Sequence, residues 1–557
     1  MALAAVVLVL TVDYQLFDTN FHTLWEATAL FAGDHPYRDF FDWGLPLQAA
    51  VSVVGQLATG HRLIGEFAAN WLFILASIAI AFRMALRVSQ SIAASLATML
   101  LAVLILAATP VYHYPKLFVY TTAVWLAWRY MDRPGVARAA ALGLMGAIAF
   151  LFRHDHGVYM VPLAFFAIVS TRVFDPVRRS FRALIEELAV CGVVAAIVVA
   201  PWAVVVGRSE GLPQYIEART AAFRDQSGKG LVYRDLARIS PARALRPDPR
   251  FRTYRPLREE SEAWLYQMTI LVPLLVLITY GLQLCRGPKR AERQASYMIV
   301  AALFLGILAS PALRQPSYFV VLTPITAALA ARLVSGRPRP VAHAAPTMSA
   351  RIERLVWICA RGVAAVMLLI TAVAALRYTH DSDLLRPREA VRRLRRAIPE
   401  LLAQPAIDGY FSRREAVAVD RPTFARGDAG DKLPFMLRYV HDCTGPEDRI
   451  LVTGSTPFQV GYYTERRIAG GHLYWHQRWR SDASREAESL ALLERHRPAF
   501  AVSTTDPVLE DFKVYPRIRR YLAANYAELP GSNGLLLVDI ARRPTATYGH
   551  VEFPCFR

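Results

Sequence analysis

Long apolar runs separated by short polar turns organise the first two thirds of this chain. The runs are Phe67–Phe82, Ile92–Ala108, Leu117–Trp128, Ala139–Phe152, Val158–Ser170, Leu188–Val206, Met268–Leu284, Tyr297–Ala309, Tyr318–Ala331 and Leu355–Ala375. Each approaches the length that carries a helix across the hydrocarbon core of a bilayer. Met1–Val12 is apolar as well, about half a span long, and reads as the remainder of a first membrane helix. A cleaved signal peptide fits it less well, because no basic stretch precedes it and no A-x-A site follows.

Two stretches between the first runs have a different pattern. "LPLQAAVSVVGQLAT" (Leu45–Thr59) is too short and too mixed to span, and Phe17–Phe31 has rough helical spacing of its large apolar residues. Both are expected to be helices lying at the membrane interface. After Ala375 the pattern changes again. "RILVTG", "AFAVST" and "GLLLVDI" read as strands, with "PREAVRRLRRAIPELL", "ESLALLERH" and "RIRRYLAANY" as helices around them. The expected fold is therefore a polytopic α-helical membrane protein of about 11 spans over residues 1–376, followed by an extracytoplasmic α/β domain over residues 377–557. Outer loops are expected at 12–66 and 207–267.

Composition supports the membrane assignment. Of 557 residues 54% are hydrophobic, above the 45–50% of ordinary soluble chains. The net charge of +19 would suggest nucleic acid if it were spread over a soluble surface. Instead it sits in turns between apolar runs: Arg83 and Arg87; Arg129, Arg133 and Arg138; Arg172, Arg178, Arg179 and Arg182; Arg286 to Arg293; and Arg332 to Arg354. Short cytoplasmic loops collect Lys and Arg, so the N-terminus is expected inside and the C-terminal domain outside an inner (plasma) membrane. Nucleic acid is not an expected partner.

The opposite side receives an acidic opening segment, Val12–Gly44, with Asp13, Asp18, Glu26, Asp34, Asp39 and Asp42 against the single Arg38. The long loop 207–267 carries twelve basic and eight acidic residues and is too long for the charge rule to judge. "SGKGLVYRD" within it is a candidate lid. Of the five cysteines, Cys443 and Cys555 alone fall in the C-terminal domain, where a disulfide is an option. "VTGSTPFQVGYY" lacks both a G-x-G-x-x-G pattern and a Walker lysine, so it reads as a plain strand–turn–helix.

Ionisable residues at span ends, rather than mid-span, suit chemistry at the outer surface better than transport through the bilayer. Asp18, Asp42, Lys116, Arg153, His154, Asp155, His156 and Arg314 all take such positions. "FRHDHG" is the strongest candidate for holding a phosphate, since Arg offers fork-shaped donors. Helix capping and a weak His-x-His metal site are its competing readings. Lys116 and Arg314 are candidates for the same role, or snorkel to the interface. Tyr112, His113 and Tyr114, with Asp42 and Asp155, are candidates for a sugar or acceptor pocket; an aromatic belt explains the tyrosines equally well.

The first outer segment, with Asp18, Ala29, Gly33, Pro36–Tyr37–Arg38–Asp39–Phe40–Phe41–Asp42 and Pro46–Leu47, resembles that of GT-C fold glycosyltransferases. The nearest group contains lipid A aminoarabinose transferase, protein O-mannosyltransferases and Rgt-type galacturonosyltransferases. The shared layout covers most of the chain. The resemblance implies transfer of a sugar from a polyprenyl-phosphate donor to a glycan, lipid or protein outside the cytoplasm, with Asp18 as general base. Family members often carry Asp-Glu at this place; Thr19 stands here instead, which puts a dyad or bound metal in doubt. No cofactor is assigned, and a divalent metal stays an option. The rival readings are a transporter or flippase of a lipid-linked glycan and a noncatalytic envelope-assembly protein.

Overall fold

The computed structural model describes all residues except 1, 12–17, 42–43, 109–114, 176, 210, 218–219, 221–253, 286–292, 313–320, 336–347, 382–385, 414–432, 455–456, 472–474, 476–482, 505 and 549–552. In chain order the helices begin with α1 (Ala2–Leu10), α2 (Asp18–Phe31), α3 (Pro46–Thr59), α4 (Ile64–Ser89) and α5 (Ile92–Ala108). There follow α6 (Pro115–Asp132), α7 (Val136–Phe152), α8 (His154–Val169), α9 (Phe181–Ser209), α10 (Tyr254–Cys285), α11 (Arg293–Ala312), α12 (Thr323–Ser335) and α13 (Met348–Asp381). The apolar runs read from the sequence lie in these helices where they are described, except Val321–Leu322, which form a turn before α12, and Ser170, which opens a π-helical turn after α8. Among the described residues, four stretches are long and apolar enough to cross a membrane: Ile64–Ser89, His154–Val173, Phe181–Ser209 and Arg354–Leu376. Ile92–Leu106, Val136–Phe152, Met268–Gln283 and Ala295–Leu308 are apolar but shorter.

The remainder mixes helices and strands: α14 (Pro387–Leu402), α15 (Ala406–Arg413), α16 (Leu433–Cys443), β1 (Arg449–Thr453), α17 (Pro457–Thr464), β2 (Arg467–Ile468), α18 (Ala483–Arg495) and β3 (Phe500–Ser503). After these come α19 (Val508–Asp511), α20 (Pro516–Asn525), β4 (Tyr526–Glu528), β5 (Leu536–Asp539), β6 (Ala546–Tyr548) and β7 (Phe553–Cys555).

Two compact units divide the chain. One holds Met1–Gln15, Asn70–Ala203 and Ser227–Leu394; the other holds Leu16–Ala69, Val204–Gln226 and Arg395–Arg557. Residues 16–69 and 204–226 thus group with 395–557, where the sequence suggested one boundary at 376/377.

In the helical unit, α10 packs on α11 and α13, α5 on α12, and α7 on both α6 and α8. Small residues set the close approaches. A Cβ on Gly143 would stand 2.2 Å from the Cys191 carbonyl oxygen, and one on Gly157 would stand 2.3 Å from the Phe150 Cβ. Close backbone approach of this kind is how helices associate where no water drives them together. The basic turns are more than membrane anchors. Asp132, closing α6, receives Arg87 and the Tyr297 hydroxyl. Arg178 donates to the Asp132 carbonyl at 2.8 Å. Arg172 meets Glu187 at 2.5 Å, and Tyr130 donates to the same carboxylate.

In the other unit, five strands form one sheet in the order β2-β1-β3-β5-β4; β6 and β7 pair separately. β2, β1 and β3 run parallel, and β3, β5 and β4 antiparallel, with Leu451 opposite Ala501 and Val502 opposite Leu536. The parallel pairs need helical crossovers, which α17 and α18 supply. The apolar strands are buried, and Trp475, Leu493, Phe512, Tyr515 and Leu522 fill the space against the helices. Cys443 and Cys555 form a disulfide.

The opening segment packs onto this sheet domain as helices α2 and α3. Phe21 lies 5.5 and 5.2 Å, centroid to centroid, from Tyr462 and Tyr463. Trp25 covers Gly461, where a Cβ would come within 2.6 Å of its ring. Phe41 N–H donates to the Gly471 carbonyl at 3.0 Å. Three of the segment's acids meet partners within the unit. Asp34 accepts from Arg449 at 2.5 and 3.1 Å, with the carboxyl 5% exposed. Asp39 pairs with Arg38 at 2.6 Å, and Glu26 meets His22 at 3.2 Å. Burial alone would raise the Asp39 carboxyl, but the hydrogen bonds from Arg38 and the His35 N–H together with the Arg38 and Arg449 charges outweigh it and hold Asp39 below the usual carboxylate range.

Two consequences are measurable. Asp34→Ala strips the buried Arg449 of its carboxylate, and breaking such a pair costs about 3 kcal/mol; thermal unfolding of the purified chain should fall by several degrees. Asp511 is 7% exposed. Burial pushes its carboxyl up to about 6, although the Ser503 and Thr453 hydroxyls donating to it pull the other way. A folded pKa above the unfolded value gives stability that is full below about pH 4 and lost as pH rises through about 6. Asp511→Asn, which keeps an acceptor there, should therefore gain on the parent between pH 4 and 7.5, by up to about 3 kcal/mol. Melting curves at the two pH values check the sign.

Candidate functional site

The junction between α7 and α8 gathers the best candidate site in the helical unit. Only Arg153 separates the two helices, in an extended conformation with φ −169° and ψ 128°. It ends α7 and caps the start of α8, so His154, Asp155, His156 and Gly157 form the first turn of α8. First-turn N–H groups and the helix dipole favour negative charge. Asp155 occupies such a place and pairs with Arg153 at 2.9 Å, both side chains half-buried. His156 Nδ1 lies 3.4 Å from the same Asp155 oxygen and 2.6 Å from the Tyr120 hydroxyl.

Tyr120 comes from α6, one turn beyond Lys116. Lys116 is 2% exposed and His156 4% exposed, and Lys116 lies within electrostatic range of Arg153 and Asp155. The cluster thus holds a lysine, an arginine, one carboxyl and one imidazole. Among the described residues, the buried His156 Nε2 has no hydrogen-bond partner. Buried polar atoms are nearly always satisfied, so an orphan calls for an explanation such as a bound group. His154 plays another part. Its Nδ1 lies 2.9 Å from the Phe150 carbonyl oxygen, and its ring stacks on Phe150 at 4.3 Å and meets Trp202 at 4.7 Å.

Beside His154, a cavity of about 440 Å³ runs between α7, α8 and α9. Its lining is apolar and rich in small residues, among them Gly143, Gly146, Phe150, Gly157, Val161 and Ala195. Phe150 and Gly157 connect it with the α7–α8 junction.

The structure therefore brings together Lys116, Arg153, Asp155 and His156, and it stacks His154 on Phe150, which lines the cavity. Asp155, read from sequence as a pocket residue for sugar or acceptor, is engaged by Arg153. Asp18 opens α2, one turn ahead of His22 and two ahead of Glu26; it belongs to the other unit. Asp42, Tyr112, His113, Tyr114, Arg314 and the candidate lid at "SGKGLVYRD" lie outside the described residues. Among the described residues, no group of three or more His, Cys, Asp or Glu gathers in a way that would hold a metal ion.

Sequence reasoning missed Tyr120 and the cavity. Tyr120 was findable, because it lies four residues from Lys116 and hence on the same helix face. It also missed the buried acid Glu66, which accepts from Ser52 at 2.6 Å and from Thr23 at 3.4 Å within the sheet-containing unit. No protein-family model matches the chain, and none of the curated proteins matches it.

Asp155→Asn leaves Lys116 and Arg153 crowded without their carboxylate. It should cost about 2 kcal/mol, against about 1 kcal/mol for Tyr120→Phe, which removes one buried hydrogen bond. Thermal denaturation of the detergent-purified variants gives the order.

Proposed function

We propose that this chain is a GT-C-type membrane glycosyltransferase of the inner (plasma) membrane. It moves a sugar from a polyprenyl-phosphate donor to a glycan, lipid or protein on the extracytoplasmic side. The observation that carries the reading is the α7–α8 junction: a helix N-terminus, Arg153, Lys116 and a buried imidazole nitrogen gathered beside an apolar cavity. That combination suits a ligand with a phosphate at one end and hydrocarbon at the other. A free nucleotide sugar has no use for the cavity.

The chemistry follows from the bond being exchanged. The acceptor oxygen attacks the anomeric carbon, and the bond from that carbon to the phosphate oxygen breaks. A sugar hydroxyl is a weak acid, so a positioned carboxylate takes its proton; Asp18 is assigned this role from its place in the opening segment. The lipid phosphate leaves with an extra negative charge, which Arg153, Lys116 and the His156 Nε2–H meet. Arg153 also pairs with Asp155 at 2.9 Å.

Membranes carrying the chain, incubated with a polyprenyl-phosphate donor bearing a labelled sugar, should transfer label to an acceptor fraction. Asp18→Asn should lower turnover by about 10²- to 10⁴-fold while donor binding persists. Near-normal turnover of Asp18→Asn sinks the base assignment. Movement of the intact donor across the membrane without release of the sugar would instead support a flippase.

A further inference from the structure

Helix α14 has a surface that neither the fold nor the proposed reaction explains. Five residues lie between the end of α13 and the start of α14, a linker that reaches no more than about 20 Å. One side of α14 is buried through Ala390, Ala397, Glu400 and Leu401. The other carries two adjacent stripes. Val391, Ile398 and Leu402, at steps of seven and four, form an apolar stripe with exposures of 44%, 42% and 50%. Arg388, Arg392, Arg395 and Arg396 form an exposed basic stripe next to it, opposed only by Glu389, which pairs with Arg392 at 3.0 Å.

A solvated surface helix accounts for the arginines but not for three large apolar side chains beside them. A helix lying at a bilayer surface accounts for both. Its apolar edge enters the acyl boundary, and its arginines sit among the lipid phosphates. The tether to α13, whose Arg354–Leu376 stretch is long and apolar enough to span, keeps α14 within reach of that surface.

We infer that the outward side of α14 is a docking surface for anionic phospholipid headgroups of the leaflet in which α13 ends. The inference rests on the membrane reading of α13. α14 then fixes the start of the sheet-containing unit at the bilayer surface, and its seating depends on lipid charge.

The test uses the full chain with Cys191, Cys285 and Cys359 replaced by Ser, keeping the Cys443–Cys555 disulfide, in nanodiscs. Single spin labels go to Leu369→Cys on α13, Val391→Cys on α14 and Arg519→Cys on α20. Accessibility to oxygen against a water-soluble nickel complex reports depth. In discs of phosphatidylglycerol, the label at 391 should be several-fold more oxygen-accessible relative to nickel than the label at 519. In phosphatidylcholine discs, or with Arg388, Arg392, Arg395 and Arg396 all changed to Gln, it should move toward the value at 519. A water-like label at 391 in phosphatidylglycerol, with 369 in the acyl region, overturns the inference and leaves the membrane reading standing. A water-exposed label at 369 overturns both. A label at 391 shielded equally in both lipids and in detergent shows a protein cover, and overturns the assignment to lipid.

Discussion

Charge placed inside an apolar helical bundle is the constraint on which the helical unit depends. Lys116, Arg153 and Asp155 meet where α6 reaches the α7–α8 junction, among residues that offer little else polar. An ionised side chain in such surroundings is costly unless other charges and hydrogen bonds compensate it. Asp155 answers Arg153, Tyr120 answers His156, and the open end of α8 adds its own field. The tight turn that makes this arrangement feasible needs glycine at 157, since any side chain there would strike Phe150. At the far end of α6, some 20 Å away by helix rise, Tyr130 and Asp132 take part in a second set of pairs with Arg87, Arg172 and Glu187. The ionisable groups of α6 thus stand toward its two ends, and Thr121 and Thr122 between them are uncharged, Thr121 sharing a hydrogen bond with Ser77 at 2.9 Å.

The opening acidic segment obeys a different logic. Its negative charge looks, in sequence, like a face turned toward a cationic ligand. Much of it is instead used up locally. Asp34 binds Arg449 at the start of β1, Asp39 binds Arg38, and Glu26 sits one turn from His22. Aromatic packing of Phe21 and Trp25 on α17 then makes the segment part of the sheet-containing unit. The same acids that resemble a glycosyltransferase loop therefore also serve folding.

How much of this could be read in advance differs by kind of information. The apolar runs were legible because a helix that avoids water leaves an unbroken hydrophobic signal, as in Ile92–Ala108, which the helix matches end to end. β1, β3 and β5 were legible from their β-branched and aliphatic residues. Pairings across long sequence separations were not. Nothing near Asp34 indicates Arg449; Cys443 and Cys555 could be named as a possible pair only because the other three cysteines fall in or beside apolar runs. "FRHDHG" was visible as a charged corner. The division of labour inside it was hidden: Arg153 and Asp155 pair, His156 turns to Tyr120, and His154 stacks on Phe150. It depends on which helices come to lie beside α8.

The central claim is that the α7–α8 junction holds the phosphate of a lipid. Binding of undecaprenyl phosphate and of undecaprenol to the purified chain, compared by native mass spectrometry, addresses it directly. The account predicts that the phosphate-bearing lipid binds at least about tenfold more tightly than the alcohol, the value of one good charge-assisted contact, and that Arg153→Gln removes most of the difference. Equal binding of the two lipids, or a phosphate preference untouched in Arg153→Gln, would contradict it.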